Sequence, residues 1–246
     1  MALKKEIEDY YERRASTYSD LDEPKTIVAC VRRTGVEDHI RIIAPEKEQK
    51  ILDIGCGNGR FLKAFLEHAE SVFGVDISLN MLKEAQKITK SIVRADSEHL
   101  PFKDRAFDIV HSAGLLGIYR SEKILEESER AAKKKGKIFI SFPALESISG
   151  LFFRILSKFK YNPTLLDEWY RKEEIEKMFK AVEKTKKTRM VLKLHKLGWE
   201  MPFQRVYKNI ESPFLVKIFL YLERNLREAP FFTYFKARWF AEAEKI

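Results

Sequence analysis

Residues 51–65, Ile-Leu-Asp-Ile-Gly-Cys-Gly-Asn-Gly-Arg-Phe-Leu-Lys-Ala-Phe, decide the fold. A short apolar run enters Asp53-x-Gly55-x-Gly57-x-Gly59 and passes straight into a helical pattern. The run reads as a buried strand. Three glycines at alternate positions let the backbone turn through positive φ and bring a ligand close to the main chain at a helix N-terminus. Strand, glycine turn and helix in that order mark a nucleotide-type crevice. The dinucleotide pattern G-x-G-x-x-G nevertheless fails, because counting from Gly55 ends on Arg60 and counting from Gly57 ends on Leu62. A carboxylate just ahead of the turn, Asp53, would face a pyrophosphate unfavourably and would suit the ammonium of an amino-acid moiety. NAD is therefore disfavoured.

Outward from the turn, strand-like runs at 51–54, 71–75, 92–95, 107–111 and 137–142 alternate with helical stretches near 59–68, 78–89 and 121–133. This rhythm predicts an α/β, Rossmann-like, mostly parallel sheet with helices on both faces. Asp76 closes the second strand in VFGVDIS, where a carboxylate can accept both hydroxyls of a ribose. The third strand runs into RADSEHLPF, so that Asp96 can accept from an adenine amino group with Ser97 as an adjacent donor. Two helical stretches, 1–20 and 25–43, precede the first strand, the second stopped by Pro45.

After Pro143 the rhythm fails. Residues 144–170 are aromatic and basic, 171–182 are helical, 188–195 are strand-like and 197–233 are irregular. Ala237, Trp239, Ala241 and Ala243 then alternate with polar residues, apart from Phe240, which marks a last strand with one face buried. The expected organisation is a single domain: a helical lid at 1–45, a ligand-binding core at 46–142, cap insertions at 143–170 and 197–233, and the last strand within 234–246.

The 246 residues carry 46 Lys plus Arg against 37 Asp plus Glu, a formal charge of +9. That excess suits an anionic partner, nucleic acid or membrane headgroups, and equally suits the ion-pair-rich surface of a protein from a hot environment. Cys30 and Cys56 make no disulfide framework, and no Cys/His cluster proposes a metal site. The start MALKKEIEDYYERR has no apolar signal core, and no run approaches the ~18 apolar residues of a membrane span, so a cytoplasmic protein is expected.

The pieces DIGCGNGRFL, GVDISLNMLKEAQ, ADSEHLPFKDRAFDIVHS and KKKGKIFISFP, in that order, resemble class I S-adenosylmethionine-dependent methyltransferases of the small-molecule, Methyltransferase-11-like type. The resemblance covers about 48–142, extends to YYERRASTYSD near the N-terminus, and thins beyond 171. It implies a seven-stranded sheet with a reversed last strand at 235–244, and S-adenosyl-L-methionine as cofactor. By it, Asp53 and Gly55 hold the methionine end within the turn completed by Cys56, Gly57 and Gly59. Asp76 holds the ribose, Ile77 and Met81 flank the adenine, and Asp96 with Ser97 reaches its amino group. His111 stands at the end of the fourth strand, and Tyr18, ahead of Tyr10 or Tyr11, covers the cofactor. Some relatives place a Glu-His pair soon after that strand; here the stretch reads Leu115-Leu116-Gly117-Ile118-Tyr119, which leaves no assigned general base beyond the candidates His111 and Tyr18. Cys56 reads as a packed residue of the turn without chemistry of its own.

The expected reaction is in-line methyl transfer to a small, apolar or aromatic acceptor. The aromatic stretches 151–161 and 212–226 read as cap packing, with an interfacial helix on anionic lipid as the sharper alternative. An RNA or tRNA methyltransferase is the neighbouring reading. Against it, Ser112-Ala113-Gly114 replaces the Pro-Pro-Tyr/Phe signature of amino-methylating nucleic-acid enzymes, and neither cysteine sits where a cytosine-attacking thiol would. A non-catalytic cofactor-binding module and an NAD oxidoreductase complete the set.

Overall fold

Apolar residues on both sides of a strand require cover on both sides, and this places the 51–54 and 107–113 segments at the centre of the sheet. The computed structural model describes residues 2–20, 26–147, 150, 168–199, 212, 214, 216–218, 221 and 236–246. Its elements are α1 (Ala2–Asp20), α2 (Ile27–Ile43), β1 (Lys50–Ile54), α3 (Arg60–Leu66), β2 (Ser71–Asp76), α4 (Leu79–Ala85), β3 (Ile92–Arg94), β4 (Phe107–Ala113), α5 (Glu122–Ala131), β5 (Ala132–Pro143), α6 (Lys172–Lys186), β6 (Met190–Trp199) and β7 (Lys236–Lys245). The strands form one seven-stranded sheet in the order β3-β2-β1-β4-β5-β7-β6. Strands β1 to β5 are parallel, and β7 runs antiparallel to both β5 and β6. This is the Rossmann-like, mostly parallel sheet with the reversed last strand that the sequence implies.

One face of the sheet buries Leu52, Ile54, Val110, Ile138 and Ile140 against Ile124 and Leu125 of α5 and Ile175, Phe179 and Val182 of α6. The other buries Ile51, Ile109, Phe139 and Phe240 against Val36 and Ile43 of α2, Phe61, Leu62 and Phe65 of α3, and Leu82 and Ala85 of α4. Local chemistry sets the helix ends. The Thr26 hydroxyl accepts from the amide of Ala29 to start α2, and Ala44 ends it in the left-handed region, φ 45°, just before Pro45. The Ser78 hydroxyl accepts from the amide of Met81 to start α4.

Several boundaries differ from the sequence reading. β4 continues past His111 to Ala113, and β6 extends to Trp199, into the stretch read as the start of the second cap. β5 begins at Ala132, inside the stretch 121–133 that reads as helical, and five residues before the expected strand start at Lys137; the register jumps from Phe107–Ala132 to Ile109–Lys137, with Lys135 at φ 63°. Helices α3 and α4 stop early, because the following amides of His68 and Ile88 bond back only three residues, to Phe65 and Ala85. β7 does not have one buried face. Phe240, on the side opposite Ala241 and Ala243, is fully buried, with its ring 4.2 Å from that of His39 and 5.6 Å from that of Phe139. The reason is that α2 covers this side of the reversed strand. Most of the two expected cap insertions, including 151–161, lies outside the described residues.

Phe240→Ala removes a fully buried ring between two layers and is expected to cost about 3–5 kcal/mol of stability. A lowered denaturant midpoint at unchanged m-value is the measurement that checks it.

Candidate functional site

The glycine turn after β1 is tied to the end of β2 by three consecutive amides. Gly55 N–H and Cys56 N–H both donate to the Val75 carbonyl, at 2.8 and 3.0 Å, and Gly57 N–H donates to Asp76 Oδ2 at 2.8 Å. Gly55, Gly57 and Gly59 all have positive φ, 73°, 54° and 85°. At Gly59 a side chain is also excluded by space, since a Cβ would lie 2.9 Å from Ile88 Cδ1 and 3.1 Å from the Ala85 Cα. An amide has one proton to give, so these three are spent within the protein. The thiol of Cys56 is buried against Gly74, and burial, with Asp53 and Asp76 adding negative charge nearby, pushes its pKa well up.

Asp76 ends β2. Its Oδ1 accepts from Ser78 N–H at 2.9 Å while its Oδ2 accepts from Gly57, and the Ile77 amide adds a third backbone hydrogen bond to the carboxylate. Burial raises its pKa to about 6 despite these hydrogen bonds. Asp53 lies one residue before the end of β1 and is buried at 1% exposure. Its Oδ1 is 2.8 Å from His111 Nδ1, and its Oδ2 has no hydrogen-bond partner among the described residues. His111 is fully buried, and its Nε2 lies 2.9 Å from His39 Nδ1. Asp96, just past β3, is paired with Lys4 of α1 at 2.6 Å and accepts from Glu98 N–H at 2.9 Å. Burial pushes the Asp96 carboxyl up, but the Lys4 ammonium outweighs it and holds the group below its ordinary range.

Asp53, Asp76 and Asp96 thus stand at the carboxyl ends of three neighbouring strands, β1, β2 and β3. Ile77 follows Asp76, and its carbonyl accepts from Arg94 Nε at 3.0 Å. Met81 is buried within α4. The Ser97 hydroxyl is 3.1 Å from that of Tyr119. Tyr18 lies in α1 with its side chain outside the described part, whereas the rings of Tyr10 and Tyr11 meet edge to face at 5.2 Å.

The helix α1 reaches this end of the sheet by contacts that sequence reading missed. Besides Lys4, Glu8 pairs with Arg94 at 2.6 Å, and Glu12 accepts from the first amides of α4, Leu79 at 2.6 Å and Asn80 at 3.1 Å. Asn80 Nδ2 returns a bond to the Glu12 carbonyl. A helix N-terminus attracts a carboxylate, so Glu12 is a remote cap. A local capping search could not find it, because donor and acceptor are 67 residues apart.

Residues 52–140 match the family model described as a methyltransferase domain. That stretch of the chain is a methyltransferase domain. An uncharacterized protein of Methanocaldococcus jannaschii is 31% identical over 159 residues, 61% of this chain and 57% of that protein. A demethylmenaquinone methyltransferase of Thermotoga maritima is 34% identical over 107 residues, 41% of this chain and 46% of that enzyme. The chain therefore spans only about half the length of these curated relatives. In three dimensions, the crystal structure of an S-adenosylmethionine-dependent methyltransferase of Thermotoga maritima, titled a possible histamine N-methyltransferase, superposes with a TM-score of 0.64 at 18% identity, covering 96% of this chain and 98% of that one.

S-adenosylmethionine is the cofactor of the methyltransferase domain, and the residues present fit it. A buried carboxylate oxygen without a donor is costly, on the order of 1–3 kcal/mol or more, and Asp53 Oδ2 is such an oxygen, matched to an ammonium.

Glu12→Ala removes the remote cap of α4 and is expected to cost about 1–2 kcal/mol. Faster hydrogen exchange at the amides of Leu79 and Asn80, together with earlier proteolytic cleavage in α1, is the expected readout.

Proposed function

We propose that this methyltransferase domain transfers a methyl group from S-adenosylmethionine to a small apolar or aromatic acceptor. The observation that carries the reading is the convergence of the glycine turn with Asp53, Asp76 and Asp96 at the ends of three adjacent strands. Bound S-adenosylmethionine supplies a methyl carbon on a cationic sulfur; the acceptor's lone pair forms the new bond to carbon as the carbon–sulfur bond breaks and its electron pair leaves on the neutral thioether. In this reading Asp53 takes the methionine ammonium, Asp76 the ribose hydroxyls, and Asp96 with Ser97 the adenine edge. Ile77 and Met81 bound the base. Cys56 contributes its backbone to the turn and keeps its thiol out of the chemistry.

No side chain needs to be covalently modified, so the protein's contribution is positioning. Alignment of acceptor and methyl carbon can lower a barrier by about 7–11 kcal/mol. His111 has no exposed surface, and its route to a ligand runs through Asp53. We assign the lid role to residues 1–45, on the strength of the ties from Lys4, Glu8 and Glu12, and the cap role to 143–170 and 197–233. Within the second of these, Phe214, Ile218 and Tyr221 follow helical spacing and are 70, 40 and 67% exposed. An exposed apolar stripe of this kind supports a greasy acceptor or a membrane interface. The 34% identity to a demethylmenaquinone methyltransferase supports an acceptor of that chemical class. No helix among the described residues is long and apolar enough to cross a membrane, and the two free buried cysteines support a reducing, cytoplasmic setting.

The basic charge speaks less for a nucleic-acid substrate than the composition suggests. A groove of about 760 Å³ gathers Arg105, Arg130, Lys134, Lys186, Lys187, Arg189 and Lys245. It lies where β4, β5 and β6 begin and β7 ends, at the edge of the sheet opposite the glycine turn. Several of these cations are already paired, Lys245 with Glu129 at 2.7 Å, Arg130 with Asp104 at 2.8 Å and with Glu127 at 2.7 Å.

Calorimetric titration with S-adenosylhomocysteine tests the reading. Asp76→Ala should weaken binding by about 1–3 kcal/mol, the worth of charge-assisted hydrogen bonds; unchanged affinity in a folded variant would remove Asp76 from the site. The wild-type affinity has a pH signature. The ribose hydroxyls donate to the ionised carboxylate, whose pKa is about 6, so affinity is full above that pH and declines as pH falls through it, by up to about tenfold per unit. The Asp76→Ala variant should show no such decline. Turnover on a demethylated quinone, and none on RNA, is expected for the acceptor.

A further inference from the structure

One buried cluster has no role in methyl transfer as described so far. Asp53 and His111 are directly opposite in the β1–β4 register, and both side chains lie on the face covered by α2. From Asp53 Oδ1 a chain of two contacts runs inward, 2.8 Å to His111 Nδ1 and then 2.9 Å from His111 Nε2 to His39 Nδ1 in the middle of α2. Both rings and the carboxylate are buried.

One proton of the chain is placed by its chemistry. A carboxylate can only accept, so His111 Nδ1 carries the proton between them, and a second proton is shared between His111 Nε2 and His39 Nδ1. Burial, with the charges of His111, Arg238 and Arg60 adding to it, lowers the His39 pKa well below the usual value and keeps that ring neutral. A shared metal does not fit. Two imidazole nitrogens on one zinc, at about 2.0–2.1 Å each, would stand roughly 3.3 Å apart, whereas these are at hydrogen-bond separation. The aromatic surround leaves the rings little freedom: His111 lies 4.6 Å from Phe61 and 5.1 Å from Phe65, and His39 4.9 Å from Phe61 and 4.2 Å from Phe240.

We infer that His39 and His111 are positioning residues that hold Asp53 Oδ1 and thereby present Oδ2, unpartnered and buried, to the ammonium of the methionine moiety. This rests on the proposed role of Asp53. Its physical content is pre-organisation: a carboxylate pinned by one oxygen does not have to give up another partner, or a rotamer, when the ligand arrives. Satisfying both oxygens within the protein would have made a more stable core and a weaker site.

The test compares two ligands that share the adenosyl and sulfur groups. S-adenosylhomocysteine carries the amino-acid end, and 5′-methylthioadenosine lacks it. His111→Phe and His39→Leu keep apolar volume in the cluster and remove the chain; thermal melts establish that each variant is folded. Both should bind S-adenosylhomocysteine at least tenfold more weakly while holding 5′-methylthioadenosine within twofold of wild type. His111→Gln, whose amide can still donate to Asp53, should recover part of the loss even if His111→Phe fails to fold. Equal weakening for both ligands, or no weakening for either, overturns the inference. Asp53→Asn separates the two levels. Selective loss of S-adenosylhomocysteine in that variant but not in the histidine variants sinks the positioning role alone, and no selective loss in Asp53→Asn sinks the assignment of Asp53 itself.

Discussion

Three successive backbone protons of the glycine turn end on one neighbouring strand, two on the Val75 carbonyl and one on the Asp76 carboxylate. The rest of the site depends on that constraint. It requires the turn to pass through positive φ three times, and it brings α3 so close to α4 that Gly59 has no room for a Cβ. The same junction then places Asp53 and Asp76 near one another, one offering an oxygen without a donor among the described residues and the other a carboxylate held by backbone amides. A turn of similar composition with free amides would belong to a different ligand class.

The carboxylates around this junction are held in different ways, and the differences fix what each can do. Asp76 is held by amides, so burial dominates and its pKa rises. Asp96 is held by an ammonium from α1 and moves the other way. Asp53 is held by a histidine ring. In the proposed reading Lys4 and an incoming adenine would share Asp96, which would couple the position of α1 to occupancy of the third strand end. Glu98 adds to this coupling, since it bonds both Lys4 and the Ser121 hydroxyl at the start of α5.

What was legible in the sequence was local. The 51–65 stretch carries its own turn chemistry, and the spacing of VFGVDIS and RADSEHLPF behind it marks three strand ends without any knowledge of the sheet order. Contacts between distant segments were not legible. His39 and His111 are 72 residues apart, Lys4 and Asp96 92, and no short pattern relates them. β5 shows a further limit. Its first residues read as the end of a helical stretch because a register shift lets the side chains of that segment escape the alternation on which strand recognition relies. Phe240 misled for a related reason: period two allows two faces, and only the tertiary arrangement shows that α2 covers the second.

The reversed direction of β7 decides where the described chain leaves the sheet. Ile246 N–H bonds to the Arg189 carbonyl at the edge remote from the glycine turn, whereas the first turns of α1 lie against Asp96 and Arg94. A fusion partner, affinity tag or surface tether joined after Ile246 leaves the carboxyl ends of β1, β2 and β3 clear. The same addition joined ahead of Ala2 is carried on the helix that lies against them.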